Sequence, residues 1–205
     1  MDSPEEIYLA GYRAFNQGKF SEAISLATQC LELAEPDSYW HYGSLGLRCW
    51  AANFLEDDNT VKSDAKELLA ENPGYEKNWF DGLAWLNLGL AARRIGKVEE
   101  AKLCFANASE RYALHQIRND QPAAWALVIM FFAAVTRAAA SDQTDALEKL
   151  DEELANICSS DEELNHLREA VNLYLRQAYG EDVYLDAQQA AERGTSRTFL
   201  ALLLL

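Results

Sequence analysis

The sequence predicts an all-α protein of about ten helices, stacked mostly as antiparallel pairs, and three observations carry that expectation. Apolar and small residues recur at helical spacing: Trp85, Leu88, Gly89 and Ala92 fall at i, i+3, i+4 and i+7, and Ala101, Phe105 and Ala108 make a second stripe beyond Gly96. The arrangement then recurs, since Gly11 to Ala23 spans the same 12 residues as Gly89 to Ala101, with Gly18 standing where Gly96 stands. Two segments sharing that offset point to a repeat rather than to chance amphipathicity. Composition agrees: 10 Gly, 4 Pro and few Val and Ile argue against a β-rich fold.

Taken in order, Ser3-Pro4-Glu5-Glu6 reads as a helix start, with Ser3 the N-cap, Pro4 in the first position and Glu6 closing a capping box. The helix runs to Gly18 with Ile7, Ala10, Gly11 and Ala14 on its stripe, and Ala23, Ala27 and Cys30 mark its partner, which Pro36 ends. This is a first repeat over 4–36. In a second, over 39–73, Tyr42, Leu45, Gly46 and Cys49 form the first stripe, Ala65, Leu68 and Leu69 the second, and Pro73 closes it. Its turn, EDDNTVKSD, is swollen by about three residues against the pattern. The acidic run Glu56-Asp57-Asp58 there reads as a solvated turn before it reads as a ligand site. The third repeat, over 79–115, contains the Trp85–Ala113 stretch. Gly89 has no side chain, so a second helix can come close there, and Gly96 suits the left-handed residue that ends a helix.

Residues 122–205 carry further helices, read as degenerate repeats or capping. AAWALVIMFFAAVTRAAA is apolar on every side and predicts a helix buried on most of its surface. Ser141 or Asp142 opens the next, with Ala146, Leu147, Leu150, Leu154 and Ile157. A capping box from Ser160 to Glu163 opens another, with Leu164, Leu167, Val171 and Leu175, which Gly180 ends. A short helix over 183–193 follows and stops at Gly194. The apolar tail from Arg197 to Leu205 must be covered, either by packing back on the array or because the chain continues in a longer protein. No linker or change of composition divides the chain, so 1–205 reads as a single helical domain.

A net charge of −15 makes nucleic acid and anionic membrane poor partners and favours the approach of a basic one. Cys30, Cys49, Cys104 and Cys158 are far apart, as for buried, reduced thiols. The acidic start is no secretory signal, and the longest apolar run, 13 residues over 123–135, is too short to span a bilayer. A cytoplasmic protein is expected. His41, His115 and His166 stand alone, Gly43-Ser44-Leu45-Gly46 lacks the first glycine of a nucleophile elbow, and Gly194-Thr195-Ser196 lacks the lysine of a phosphate loop. No catalytic residue, cofactor site or metal ligand is expected, and the chain does not read as an enzyme. An enzyme or small-ligand sensor would need a polar pocket under the 122–140 helix, or His41 and Arg48 clustered with a carboxylate.

The spacing Trp85, Leu88, Gly89, Ala101, Phe105, Ala108 resembles the tetratricopeptide repeat (TPR), with Ala92 in place of its usual Tyr and Ala113 in place of its Pro. The resemblance covers about three repeats in residues 4–115. It implies a right-handed α-solenoid whose first helices line a concave groove for a peptide or helix of a partner protein. The groove positions it implies are Tyr8, Tyr12 and Phe15; then Trp40, Ser44, Leu47 and Trp50; then Leu83, Asn87, Leu90 and Arg94. The Lys, Asn and Arg set with which one subclass grips a peptide carboxylate is absent here, since Tyr8, Tyr12, Ser44, Leu83 and Asn87 take those places. What remains is an aromatic and aliphatic surface suited to an amphipathic helix, unless it is filled by the chain's own 123–135 or 198–205 segments. The implied function is that of a non-enzymatic interaction scaffold or adaptor. Alternatives are an acidic chaperone for a secretion substrate and a regulatory domain of a larger signalling or transcription protein. Oligomeric state is left open.

Overall fold

The structure, a computed structural model, describes residues 3–70, 77–115, 123–157 and 162–193. Among these residues are ten α-helices and no strand: α1 (Pro4–Asn16), α2 (Phe20–Leu33), α3 (Tyr39–Phe54), α4 (Asp58–Ala70), α5 (Lys77–Arg94), α6 (Val98–Leu114), α7 (Ala123–Ser141), α8 (Asp145–Asn156), α9 (Glu162–Ala178) and α10 (Tyr184–Glu192). Pro73, Cys158, the start of the capping box at Ser160, Gly194 and the apolar tail lie outside the described residues. The helices belong to two compact units, residues 1–115 and 116–205.

In the first unit each helix packs on the next, and the first helices of successive pairs also touch, α1 on α3 and α3 on α5. That is a solenoid of three helix pairs, the build that the TPR resemblance implies. The capping box of α1 is closed, since Glu6 N–H donates to Ser3 Oγ at 3.2 Å and Ser3 N–H to Glu6 Oε2 at 2.8 Å.

One turn recurs in all three pairs. Gly18, Glu56 and Gly96 have φ of +75°, +57° and +77°. The next residue (Lys19, Asp57, Lys97) donates its N–H to Ala14, Ala52 and Ala92 carbonyls at 2.9, 3.0 and 3.0 Å. Its own carbonyl accepts from Ala23, Val61 and Ala101. The second turn is therefore not swollen, contrary to the sequence expectation: α4 begins at Asp58, inside the stretch read as loop. Glu56 does what glycine does in the other two pairs, and Asp57 accepts from Thr60 N–H and Oγ1 at 3.2 and 2.6 Å, capping α4. Aligning the pairs on these turns puts Cys49, rather than Gly46, opposite Gly11 and Gly89. The acidic run is thus accounted for by the turn itself.

Packing follows from where side chains are missing. A Cβ on Gly89 would lie 2.6 Å from Phe105 Cδ1, and one on Gly82 would lie 2.8 Å from Tyr112 Cε1, so α5 and α6 approach face to ring. Phe105 and Tyr112 are consequently almost wholly buried. Tyr42, Leu45, Cys49, Ala52, Val61, Ala65, Leu68, Phe80 and Ala84 form a continuous core through α3, α4 and α5. A side chain the size of Leu68 contributes roughly 1.5–3 kcal/mol when fully buried.

In the second unit α7 packs on α8 and α9, α8 on α9, and α9 on α10. Val128, Ile129, Phe131, Phe132, Ala134, Val135 and Ala138 of α7 are buried, as the all-round apolar pattern predicts. Neither Ser141 nor Asp142 opens α8. Ser141 Oγ donates to the Arg137 carbonyl at 3.0 Å within α7, and Asp142, at φ +57°, ends that helix. Thr144 is the residue before α8, which buries Leu147, Leu150 and Leu154. Gly180, at φ +88°, ends α9 as expected.

Candidate partner-binding surface

The candidate residues lie on α1, α3 and α5 of the first unit, which the solenoid sets side by side, and glycines decide how close these helices come. Gly43 of α3 faces Tyr8 of α1, whose Cε2 would meet an added Cβ at 3.0 Å. Gly46 of α3 faces Leu83 of α5 in the same way. Large side chains from one first helix therefore lie over bare backbone on the next.

As a result the eleven candidates divide by burial. Phe15, Ser44, Leu47, Trp50, Leu83 and Asn87 are buried, with Phe15, Ser44 and Asn87 wholly so. Tyr8, Trp40 and Leu90 are half-buried, Tyr12 is 39% exposed, and Arg94 is exposed. Phe15 and Trp50 belong to a ring cluster with Phe20 and Phe54, where Phe20 and Phe54 stack at 4.3 Å between centroids. These two are packing residues between α1, α2 and α3.

Tyr8, Tyr12 and Trp40 meet in a second cluster, joined by Tyr39. Centroids are 6.5 Å apart for Tyr8–Tyr12, 5.6 Å for Tyr8–Trp40, 6.1 Å for Tyr8–Tyr39 and 5.1 Å for Tyr39–Trp40. Burial pushes the Tyr8 phenol well up, helped by the neighbouring phenols of Tyr39 and Tyr12, so it remains a neutral group. Tyr39, 46% exposed, was not among the positions read from the sequence. The repeat register assigned to the second pair excluded it, although it is adjacent to Trp40.

Two of the polar candidates, Asn87 and Arg94, are committed to internal bonds. Asn53 Nδ2 donates to Asn87 Oδ1 at 2.6 Å and to the Asn87 carbonyl at 3.1 Å, and Asn87 Nδ2 donates to the Leu83 carbonyl at 2.8 Å. Arg94 Nη1 donates to the Asn53 carbonyl at 3.0 Å, and its Nη2 pairs with Asp58. One guanidinium thus closes the carbonyl end of α3 and the first turn of α4 together. Asn53 and Asp58, like Tyr39, carried no signal in the repeat pattern.

His41 and Arg48 each have their own carboxylate. His41 Nε2 lies 3.1 Å from Glu67 Oε1, while Arg48 holds Asp64 through two bonds of 2.8 and 2.7 Å and reaches Thr28 Oγ1 at 3.3 Å. Burial pushes the Asp64 carboxyl up, and the guanidinium offsets part of that shift. These are ties between α2, α3 and α4. Among the described residues no group of three or more His, Cys, Asp or Glu could hold a metal ion, and no helix is long and apolar enough to cross a membrane.

No family model matches the chain, and no curated protein matches it in sequence. Among solved structures the chain is similar to a Podosopora anserina protein described as a kinesin light chain with nearly identical TPR-like repeats. The two are 16% identical over 98% of each chain, with a TM-score of 0.45.

Proposed function

We propose that this chain is a non-enzymatic, cytoplasmic interaction scaffold whose first three helix pairs hold an amphipathic helix of a partner protein against α1, α3 and α5. The observation that supports this reading most directly is the division among the candidates. Asn87 and Arg94 are engaged inside the array, whereas the ring cluster of Tyr8, Tyr12, Tyr39 and Trp40 presents partly exposed aromatic faces. Aromatic rings give large, rigid contact area at little entropic cost and dominate binding hot spots at about 2 kcal/mol or more each when central. A net charge of −15 favours a partner that carries basic residues beside its apolar face.

The test is capture of partners on immobilised wild-type chain beside Tyr12→Ala/Trp40→Ala, with circular dichroism to establish that the variant remains helical. The reading requires a partner held by wild type and lost from the folded variant. Identical capture by both proteins would refute it.

A further inference from the structure

We infer, on the basis of the scaffold reading above, that the ring cluster of Tyr8, Tyr12, Tyr39 and Trp40 receives an arginine of the partner's helix, its guanidinium laid on the ring faces with nearby carboxylates as counter-charge. The cluster stands where three helix ends meet. Cys30 Sγ, near the end of α2, lies 3.2 Å from the Pro4 carbonyl and 3.9 Å from the Trp40 carbonyl, so the starts of α1 and α3 are pinned beside it. Tyr12 and Tyr39 are exposed there, while Tyr8 and Trp40 are half-buried. Tyr39 stands at 78° to Tyr8 and at 87° to Trp40. Two rings near a right angle bound a corner that both π faces look onto, and the negative face of each attracts a cation. An aliphatic side chain gains nothing from that orientation; a cation does.

Charge at this end of the array is of one sign. Residues 3–12 and 20–47 contain no Lys or Arg, yet Glu5, Glu32, Glu35 and Asp37 are exposed there, and none of the four forms an ion pair among the described residues. Glu6 is held in the capping box, and the imidazole at this end, His41, lies against Glu67. By contrast Asp58, Asp64 and Glu100 have Arg94, Arg48 and Lys97 beside them. Glu5 and Tyr12 flank Tyr8 on one face of α1, three residues before it and four after, and Asp37 precedes Tyr39 by two. Arg13 follows Tyr12 directly, so it points round the helix from that ring rather than over it. The site therefore has ring faces and carboxylates but no cation of its own. Arginine suits it better than lysine, because a flat, weakly hydrated guanidinium stacks on a ring while its N–H edge stays free for a carboxylate.

The experiment uses a displayed library of amphipathic helices, with a fixed leucine stripe and all other positions random, panned on the full chain and on Tyr12→Ala/Trp40→Ala. Circular dichroism checks that the variant is helical; if it is not, Tyr12→Leu replaces it, since Tyr12 is exposed. Helices held by wild type and lost from the variant should share an arginine. One of them is then synthesised with that arginine replaced by citrulline, which keeps the planar shape without the charge. The arginine form should bind at least about fivefold more tightly than the citrulline form. Tyr12→Leu, which keeps apolar area and removes the ring, should weaken the arginine form by a similar factor and leave the citrulline form within about twofold. A consensus of lysine, of acidic residues or of no charged residue would overturn the inference and leave the scaffold reading standing, and so would equal binding of the arginine and citrulline forms. If no helix binds, or if all bind the folded variant as tightly as wild type, the scaffold reading fails and this inference with it.

Discussion

The ring of Phe105 lies against the backbone of Gly89, with its Cδ1 2.6 Å from where a β-carbon would stand. Contact between α5 and α6 at this level needs the missing side chain. Gly89→Val should therefore separate the third pair, and overpacking of this kind costs about 1–3 kcal/mol. Urea denaturation would read it as a lower midpoint. Gly96→Ala should also destabilise, for a different reason: nothing lies near that position, but its φ of +77° is strained for any residue with a β-carbon.

Glu56 makes the reciprocal case. It holds φ +57° in the turn that glycine makes in the other two pairs. Glu56→Gly should raise stability, by about 0.5–1 kcal/mol after the entropy gained by the unfolded chain is set against the relief of strain. Thermal and urea unfolding of this variant beside Gly96→Ala would measure both signs of one backbone requirement.

Asn53 and Asn87 are buried and satisfy each other across α3 and α5. Asn87→Ala should cost about 1–3 kcal/mol, since it removes the side-chain acceptor of the buried Asn53 amide and leaves it only the backbone carbonyl of residue 87. A double-mutant cycle with Asn53→Ala checks the mechanism: the double variant should be less destabilised than the sum of the two singles.

The pH dependence of stability should contain a contribution from the first cap. The Ser3 backbone N–H and then its hydroxyl bind the Glu6 carboxylate and hold its pKa below the usual carboxylate range. A depressed folded pKa contributes stability that is fully present above the ordinary carboxylate range and is lost as pH falls through the folded value. Glu6→Gln keeps a capping side chain without the titration. The stability difference between wild type and this variant should shrink as pH falls from 6 towards 3, as measured by urea titrations across that range; a constant difference would contradict it.

How much of this was legible in the sequence depended on whether a residue's role was written in local spacing. Gly89 and Phe105 share a 34-residue pattern, so their contact could be read directly, and the Ser3–Glu6 cap is confined to four residues. Glu56 hid its turn because a left-handed conformation is normally signalled by glycine, and the missing glycine made eight helical and capping residues, 57–64, read as loop. The same slip displaced the register of α3 by three residues, from Cys49 to Gly46. Asn53 and Asp58 were invisible for another reason: their partners, Asn87 and Arg94, lie far along the chain and are found only once the pairs stack. The division between buried and accessible candidates depended likewise on Gly43 and Gly46 admitting Tyr8 and Leu83.

The most direct test of the scaffold account is photo-crosslinking in a lysate of the native cell, with a benzoylphenylalanine replacing Tyr12 and, in a parallel sample, Lys62 of α4. Both positions are exposed, but only the first belongs to the aromatic cluster. The account predicts a protein adduct at position 12, absent at position 62 and lost when Trp40→Ala is added. The same adducts at both positions, or none at position 12, would contradict it.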